Sequence, residues 1–128
     1  MGALGKRLGS FTLRNEYEVY VSAEAPDIYI VRQHSKSQVF EHHVLKGNVR
    51  LLQRGLGGRA VTVDNVLDKI QQGDIPGLRL YCYGYKKRFE VQNILVVLCV
   101  LGLATAEKQG RGFVYWIRPS CESISDLL

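Results

Sequence analysis

The chain has 128 residues, of which 46% are hydrophobic and 23% are charged, and its formal net charge is +5. This balance excludes a disordered chain and is typical of one compact domain. The three cysteines are widely spaced and form no CxxC pair, which excludes a disulfide framework or a zinc finger and indicates a reducing, cytoplasmic setting. No signal peptide is visible, and the longest apolar run, residues 94–106, is too short to span a bilayer, so we expect no membrane partner.

The first half of the chain is rich in strand signals. Residues 1–10 are glycine-rich and basic, which predicts a flexible tail. Hydrophobicity then alternates through "YEVYV" (17–21) and "IYIVRQ" (28–33), and the turn residues between them predict a β-hairpin. Residues 38–45 fit either a third strand or the start of a helix. We therefore expect a β-rich extension over residues 11–55, folded as an antiparallel ribbon or small sheet.

A helix is predicted to begin near residue 62. Thr62 can cap its N-terminus, and Gly73 can end it. Between them, apolar residues recur at the helical spacing at Val63, Val66, Leu67 and Ile70. The preceding "GLGGRA" has the spacing of a dinucleotide-binding loop, but such a loop needs a parallel βαβ unit, so a flexible connector is the better interpretation.

The second half continues with a longer helix and a hairpin. Residues 77–90 fit either a strand or a short helix broken at a glycine. An apolar stripe then predicts a helix from residue 89 or 90 to 101, which Gly102 ends. Residues 103–107 and 113–118 read as two strands joined by the glycine-containing turn "KQGRG". The final "SCESISDLL" could form a last short helix.

This order of elements carries a resemblance to a known superfamily. The stretch "YGYKKRFEVQNILVVLCVLGLATAEKQGRGFVYWI", preceded by the helix at residue 62, resembles the winged helix-turn-helix superfamily over residues 62–118. The resemblance implies an α+β protein with a winged-helix domain at 56–128. It also implies that the helix ending in "LGL" is the recognition helix and that the hairpin is the wing. Basic proteins of this kind, rich in Tyr and Val, also resemble products of archaeal viruses, which would place the chain in a host cytoplasm.

The resemblance implies binding to double-stranded DNA, as a transcriptional regulator and homodimer without catalysis, cofactor or metal. Between residues 79 and 118, seven Lys and Arg stand against two Glu, which favours contact with phosphates. Three groups of contacts are expected: phosphates at the helix start, bases on the helix, and the backbone at the wing tip. Their residues are, in that order, Lys86, Lys87 and Arg88; Gln92 and Asn93; Lys108 and Arg111.

One feature departs from the winged-helix pattern. The second half of the predicted recognition helix is apolar nearly all round, and such a helix is usually buried. Its outer face is covered either by a dimer interface containing Val96 and Val100 or by the N-terminal strands. A dimer interface would make the protein an assembly module that does not bind DNA.

The remaining candidate sites give weaker signals. His34, His42 and His43 lack ligand partners at suitable spacing, and no nucleophile with a neighbouring base can be nominated, so we expect no enzyme. Tyr81, Tyr83 and Tyr85 alternate along the chain and could stack on unpaired bases, although aromatic residues at strand spacing more often lie in a core or on a sheet surface.

Overall fold

The computed structural model describes residues 3–119 as an α+β fold, which confirms the predicted class. Two antiparallel sheets and three helices make up the described residues, with strand orders β1-β2-β3-β4 and β5-β7-β6. The elements are β1 (Leu4–Thr12), β2 (Glu16–Ser22), β3 (Ile28–Ser35), β4 (Gln38–Leu45), α1 (Lys46–Leu56), β5 (Ala60–Val61), α2 (Val63–Gln71), α3 (Lys86–Val100), β6 (Ala104–Gln109) and β7 (Gly112–Ile117).

The N-terminal sheet follows from the period of two in the sequence. Tyr17 and Val19 on β2 and Tyr29 and Val31 on β3 are buried, because alternate residues of a strand point to the same face. The predicted hairpin is confirmed, with Val19 opposite Val31. The open question at residues 38–45 is also answered, since β4 ends at Leu45 and α1 begins at the next residue.

The flexible tail predicted over residues 1–10 is wrong for residues 4–10, because Leu4–Thr12 forms the edge strand β1. The glycines that indicated flexibility have another role here. A Cβ atom on Gly5 would lie 2.5 Å from the carbonyl oxygen of Val21, so the two strands approach too closely for any side chain there. Composition alone could not reveal this contact, since it depends on how β1 pairs with β2.

Helix α2 begins as predicted, with a complete capping box. The hydroxyl of Thr62 accepts a hydrogen bond from the backbone N–H of Asn65 at 3.1 Å, and the Asn65 side chain accepts one from the N–H of Thr62 at 3.0 Å. Two backbone donors at the helix start are thereby satisfied. Val66, in the predicted apolar stripe, is fully buried, so the cap fixes how α2 packs on the core.

Thr62→Ala is expected to lower the free energy of unfolding by about 1 kcal/mol, since the variant removes one partner of the capping box. Urea denaturation of both proteins measures the change. Thr62→Ser keeps the hydroxyl and should retain most of the stability; an equal loss in the serine variant would show that the hydrogen bond is not the cause.

Helix α3 is the central element of the core. It contacts all four strands of the N-terminal sheet as well as α1, α2 and β6. Leu95, Val96, Val97 and Leu98 are each 0% exposed, as expected of a helix that is apolar all round. Of the two explanations for its outer face, cover by the N-terminal strands is therefore the one observed.

The predicted dimer contact at Val96 and Val100 is wrong for Val96, because that side chain lies wholly inside the molecule. Val100 is half-buried, and its Cγ1 atom lies 3.2 Å from where a Cβ atom on Gly9 would stand. Strand β1 therefore takes the place that the prediction gave to a second copy of the chain. The sheet supplies the apolar partner that such a helix requires.

The connection between α2 and α3 is irregular, so neither the strand nor the separate short helix predicted within residues 77–90 forms. Helix α3 instead begins at Lys86, a few residues earlier than predicted. The hairpin after it is confirmed, with Gly102 (φ 76°) ending the helix and Gly110 (φ 60°) in the turn. The predicted C-terminal helix lies outside the described residues.

Candidate functional site

The main candidate site is a groove where four segments of the chain meet. It has a volume of about 450 Å³ and is lined by the β1–β2 turn, the start of α2, the first half of α3 and the β6–β7 hairpin. Arg14, Arg88 and Arg111 each contribute to its wall from a different segment. We call this the arginine groove.

Specific polar contacts hold the walls of the groove together. The guanidinium of Arg14 donates a hydrogen bond to the carbonyl oxygen of Arg111, which ties the tips of two hairpins to each other. Arg88 forms an ion pair with Asp64 at the start of α2. Deeper in, Nε2 of Gln92 donates to the hydroxyl of Tyr17 at 3.4 Å. The hairpin tip, both helices and the N-terminal sheet are therefore connected through this one site.

The electrostatics of the groove favour an anion. Three arginines face one acidic side chain, Asp64, and the N-terminus of α2 adds a partial positive charge. The Arg88 and Asp64 side chains are 51% and 65% exposed, so their ion pair is screened by water and can open at little cost. Guanidinium groups form paired hydrogen bonds with phosphate or carboxylate oxygens, which makes these anions the best chemical match.

The structure brings three of the seven predicted DNA contacts into the arginine groove: Arg88, Gln92 and Arg111. Lys86 and Lys87 lie in the first turn of α3, and Lys108 is exposed on β6, all outside the lining of the groove. From the predicted surface, the first two turns of α3 and the hairpin therefore remain available.

The predicted base contact of Asn93 is wrong, because this side chain is only 4% exposed. Successive residues of an α-helix are rotated by about 100°, so Gln92 can line the groove while its neighbour faces the interior. With Asn93 buried, α3 presents one amide to a ligand where two were expected.

Sequence reasoning missed Arg14, which is the residue that closes the groove on the side of the N-terminal sheet. It lies 97 positions from Arg111, its hydrogen-bond partner. No local pattern distinguishes it from other arginines in turns, so only the fold could reveal its position.

A second candidate surface, the aromatic loop, comprises residues 81–85 before α3 and Phe89 in the first turn of α3. Its aromatic side chains are largely exposed, with values of 66% for Tyr81, 86% for Tyr83, 72% for Tyr85 and 52% for Phe89. The carboxylate of Glu90 accepts hydrogen bonds from the backbone N–H groups of Tyr81, at 2.9 and 3.0 Å, and of Cys82, at 2.8 Å. The backbone of the loop is thus fixed to α3 while its rings face water.

Within residues 3–119, the cysteine thiols are poor nucleophiles and two of the histidines are paired with carboxylates. Burial raises the pKa of the Cys99 thiol to about 12, so it stays protonated at neutral pH and is a poor nucleophile. Burial, followed by the Glu90 carboxylate, also raises the pKa of Cys82. The histidines His34 and His43 pair with Glu18 and Glu41. Within residues 3–119, no set of three or more His, Cys, Asp or Glu side chains is placed to hold a metal ion.

Comparison with family models, curated proteins and solved structures finds no match for this chain. None of the helices within residues 3–119 has the length and apolar character required to cross a membrane. The function is therefore inferred from the geometry and charge of the site.

Proposed function

We propose that the protein binds double-stranded DNA through its phosphate backbone, with the arginine groove as the principal contact. The observation that carries this proposal is the convergence of Arg14, Arg88 and Arg111 on one solvent-open groove from three separate segments. A polyanion neutralises such a cluster and gains affinity from released counterions. Lys86 lies on α3 with Arg88, and Lys108 lies on β6, three residues before Arg111 in the β6–β7 turn, so both lysines add basic character near this groove.

The order of the elements supports a winged-helix assignment for residues 62–118. Helix α2, an irregular connection, helix α3 and the β6–β7 hairpin follow one another as the resemblance implies. The difference lies in α3, whose outer face packs against the N-terminal sheet. The proposed contact therefore depends on phosphates, which give affinity without sequence preference, and base recognition is reduced to Gln92.

The assembly alternative is weaker because Val96, on which it depended, is buried. We also retain regulation of transcription as a proposal that follows from DNA binding. It requires no cofactor and no catalytic step.

The proposal is tested by measuring affinity for a blunt DNA duplex over a range of salt concentrations. We expect affinity to fall steeply with salt and Arg14→Ala/Arg111→Ala to weaken binding about tenfold or more, since charge-assisted hydrogen bonds contribute about 1.5–3 kcal/mol. The slope of log affinity against log salt should decrease by about two, one for each lost phosphate contact.

A matched control is Arg54→Ala/Arg59→Ala, which removes the same charge from exposed positions outside the groove. This variant should bind with nearly unchanged affinity and slope. If both double variants lost the same amount of affinity for DNA, net charge alone would account for the binding. If the wild type bound DNA independently of salt, or did not bind it, the proposal would be contradicted.

A further inference from the structure

We propose that the aromatic loop stacks on unpaired bases, so that the protein prefers a duplex that continues into a single strand. This inference rests on the proposed function, because it assigns the arginine groove to the duplex phosphates and the loop to the bases beyond them.

The exposure of the loop is the first argument. Tyr81, Tyr83 and Tyr85 are the three most exposed large hydrophobic side chains among the described residues. A contiguous group of exposed rings usually marks a binding surface. The three tyrosines alternate, but this part of the chain is irregular and forms no strand. The usual explanation for such a pattern, aromatic residues on the surface of a sheet, therefore does not apply.

The order of the loop is the second argument. Glu90 accepts hydrogen bonds from two successive backbone N–H groups of the loop, and Tyr85 packs edge-on against Phe89 with ring centroids 6.2 Å apart. The backbone is thereby positioned before any ligand binds, which lowers the entropy cost of stacking. Tyrosine also presents a rigid ring with only two side-chain torsions to fix.

Charge identifies the ligand class. Arg79, Lys86 and Lys87 flank the rings, and the nearby carboxylate of Glu90 is already occupied by backbone donors. Flat rings interleaved with cations match a nucleic-acid single strand, whose bases stack while its phosphates pair with Lys and Arg.

The loop also leads directly into the helix that lines the arginine groove. Tyr85 immediately precedes α3, and Arg88, three residues later, lines the groove. Three residues advance about 4.5 Å along a helix axis and complete less than one turn. This adjacency of the rings and the groove along α3 favours one DNA ligand that contacts both over an unrelated acidic protein.

The experiment compares three DNAs by fluorescence anisotropy at one salt concentration: a blunt duplex, the same duplex with a short thymine overhang, and that duplex with an abasic overhang. The wild type should bind the thymine overhang about tenfold or more tightly than the blunt duplex, since each stacked base contributes substantially. The abasic overhang keeps the phosphates without the bases, so it should bind only modestly more tightly than the blunt duplex and much more weakly than the thymine overhang.

The matched variant is Tyr81→Leu/Tyr83→Leu/Tyr85→Leu, which keeps apolar side chains but removes the rings. It should bind the thymine overhang no more tightly than the abasic overhang, while its affinity for the blunt duplex stays within about twofold because the arginine groove is intact. Phe40→Leu removes an exposed ring from β4, outside the loop, and should retain the preference.

The two proposals fail in different ways. Two results would overturn the stacking inference alone: equal binding of the thymine and abasic overhangs by the wild type, or a preference for thymine over the abasic overhang that survives in the triple variant. Binding of the overhang strand without any binding of the blunt duplex would support stacking and contradict the proposed duplex contact. A third outcome would assign the loop to an acidic protein and overturn the inference. In it, poly-glutamate displaces the thymine overhang from the wild type, and the triple variant no longer binds poly-glutamate.

Discussion

Val96→Glu is expected to unfold the protein. Val96 is 0% exposed within α3, the helix that contacts both sheets. An ionised carboxylate at this position would lose its hydration without gaining a partner, and such a change costs on the order of 4 kcal/mol or more. Since small proteins have only about 5–15 kcal/mol of stability, thermal denaturation monitored by circular dichroism should show a large fall in midpoint or no folded baseline.

The matched control is Val39→Glu, the same substitution at a valine that is 47% exposed on β4. We expect its free energy of unfolding to stay within about 1 kcal/mol of the wild type. The loss in the Val96 variant should shrink as pH falls. Burial raises the pKa of the introduced carboxyl above its unfolded value, so the penalty is greatest at neutral pH and decreases when the group is protonated.

A different outcome would support the dimer interpretation of Val96. If the wild type were a dimer by light scattering and Val96→Glu a folded monomer of normal stability, the residue would have to lie at an interface between chains. In that case the Val96 side chain would not be buried against β1–β4 as described above.

Removal of the N-terminal sheet is expected to abolish cooperative folding of the remainder. A fragment containing residues 46–128 lacks the buried inner face of the sheet, including Tyr17, Val19, Tyr29 and Val31. Its α3 would expose a fully apolar surface to water, at a cost of roughly 25 cal/mol for each Å². We expect weak or absent near-ultraviolet circular dichroism, no sharp thermal transition and binding of a hydrophobic dye.

This truncation also tests whether the predicted division into an extension (residues 11–55) and a domain (residues 56–128) separates independently folding units. The fragment keeps α1, which the prediction assigned to the extension. A sharp two-state melt of the fragment would show that residues 46–128 fold independently and that the sheet is an accessory. As a control, a synthetic peptide of residues 1–45 should restore the transition when mixed with the fragment, because it returns the missing apolar surface. Failure to restore it would indicate a general folding defect of the fragment.

Local signals in the sequence were sufficient for some of the elements, although not for β1 or the connection before α3. The period of two identified β2 and β3, Thr62 marked the start of α2, and Gly102 marked the end of α3. These features depend on the conformational preferences of neighbouring residues, which a sequence states directly. Because the second half of α3 is apolar nearly all round, the sequence also predicted that its outer face would be buried against another element or chain.

What covers α3 was decided only by tertiary structure. The choice between a second chain and the N-terminal strands depends on contacts between residues far apart in sequence, such as Gly9 and Val100. The same reason explains why Gly5 was taken for a sign of flexibility, why Asn93 was expected to face DNA, and why Arg14 was missed although it contacts Arg111. A sequence determines which surfaces of each element must be buried or solvated, but many partners satisfy that requirement equally well, and only the packed chain selects among them.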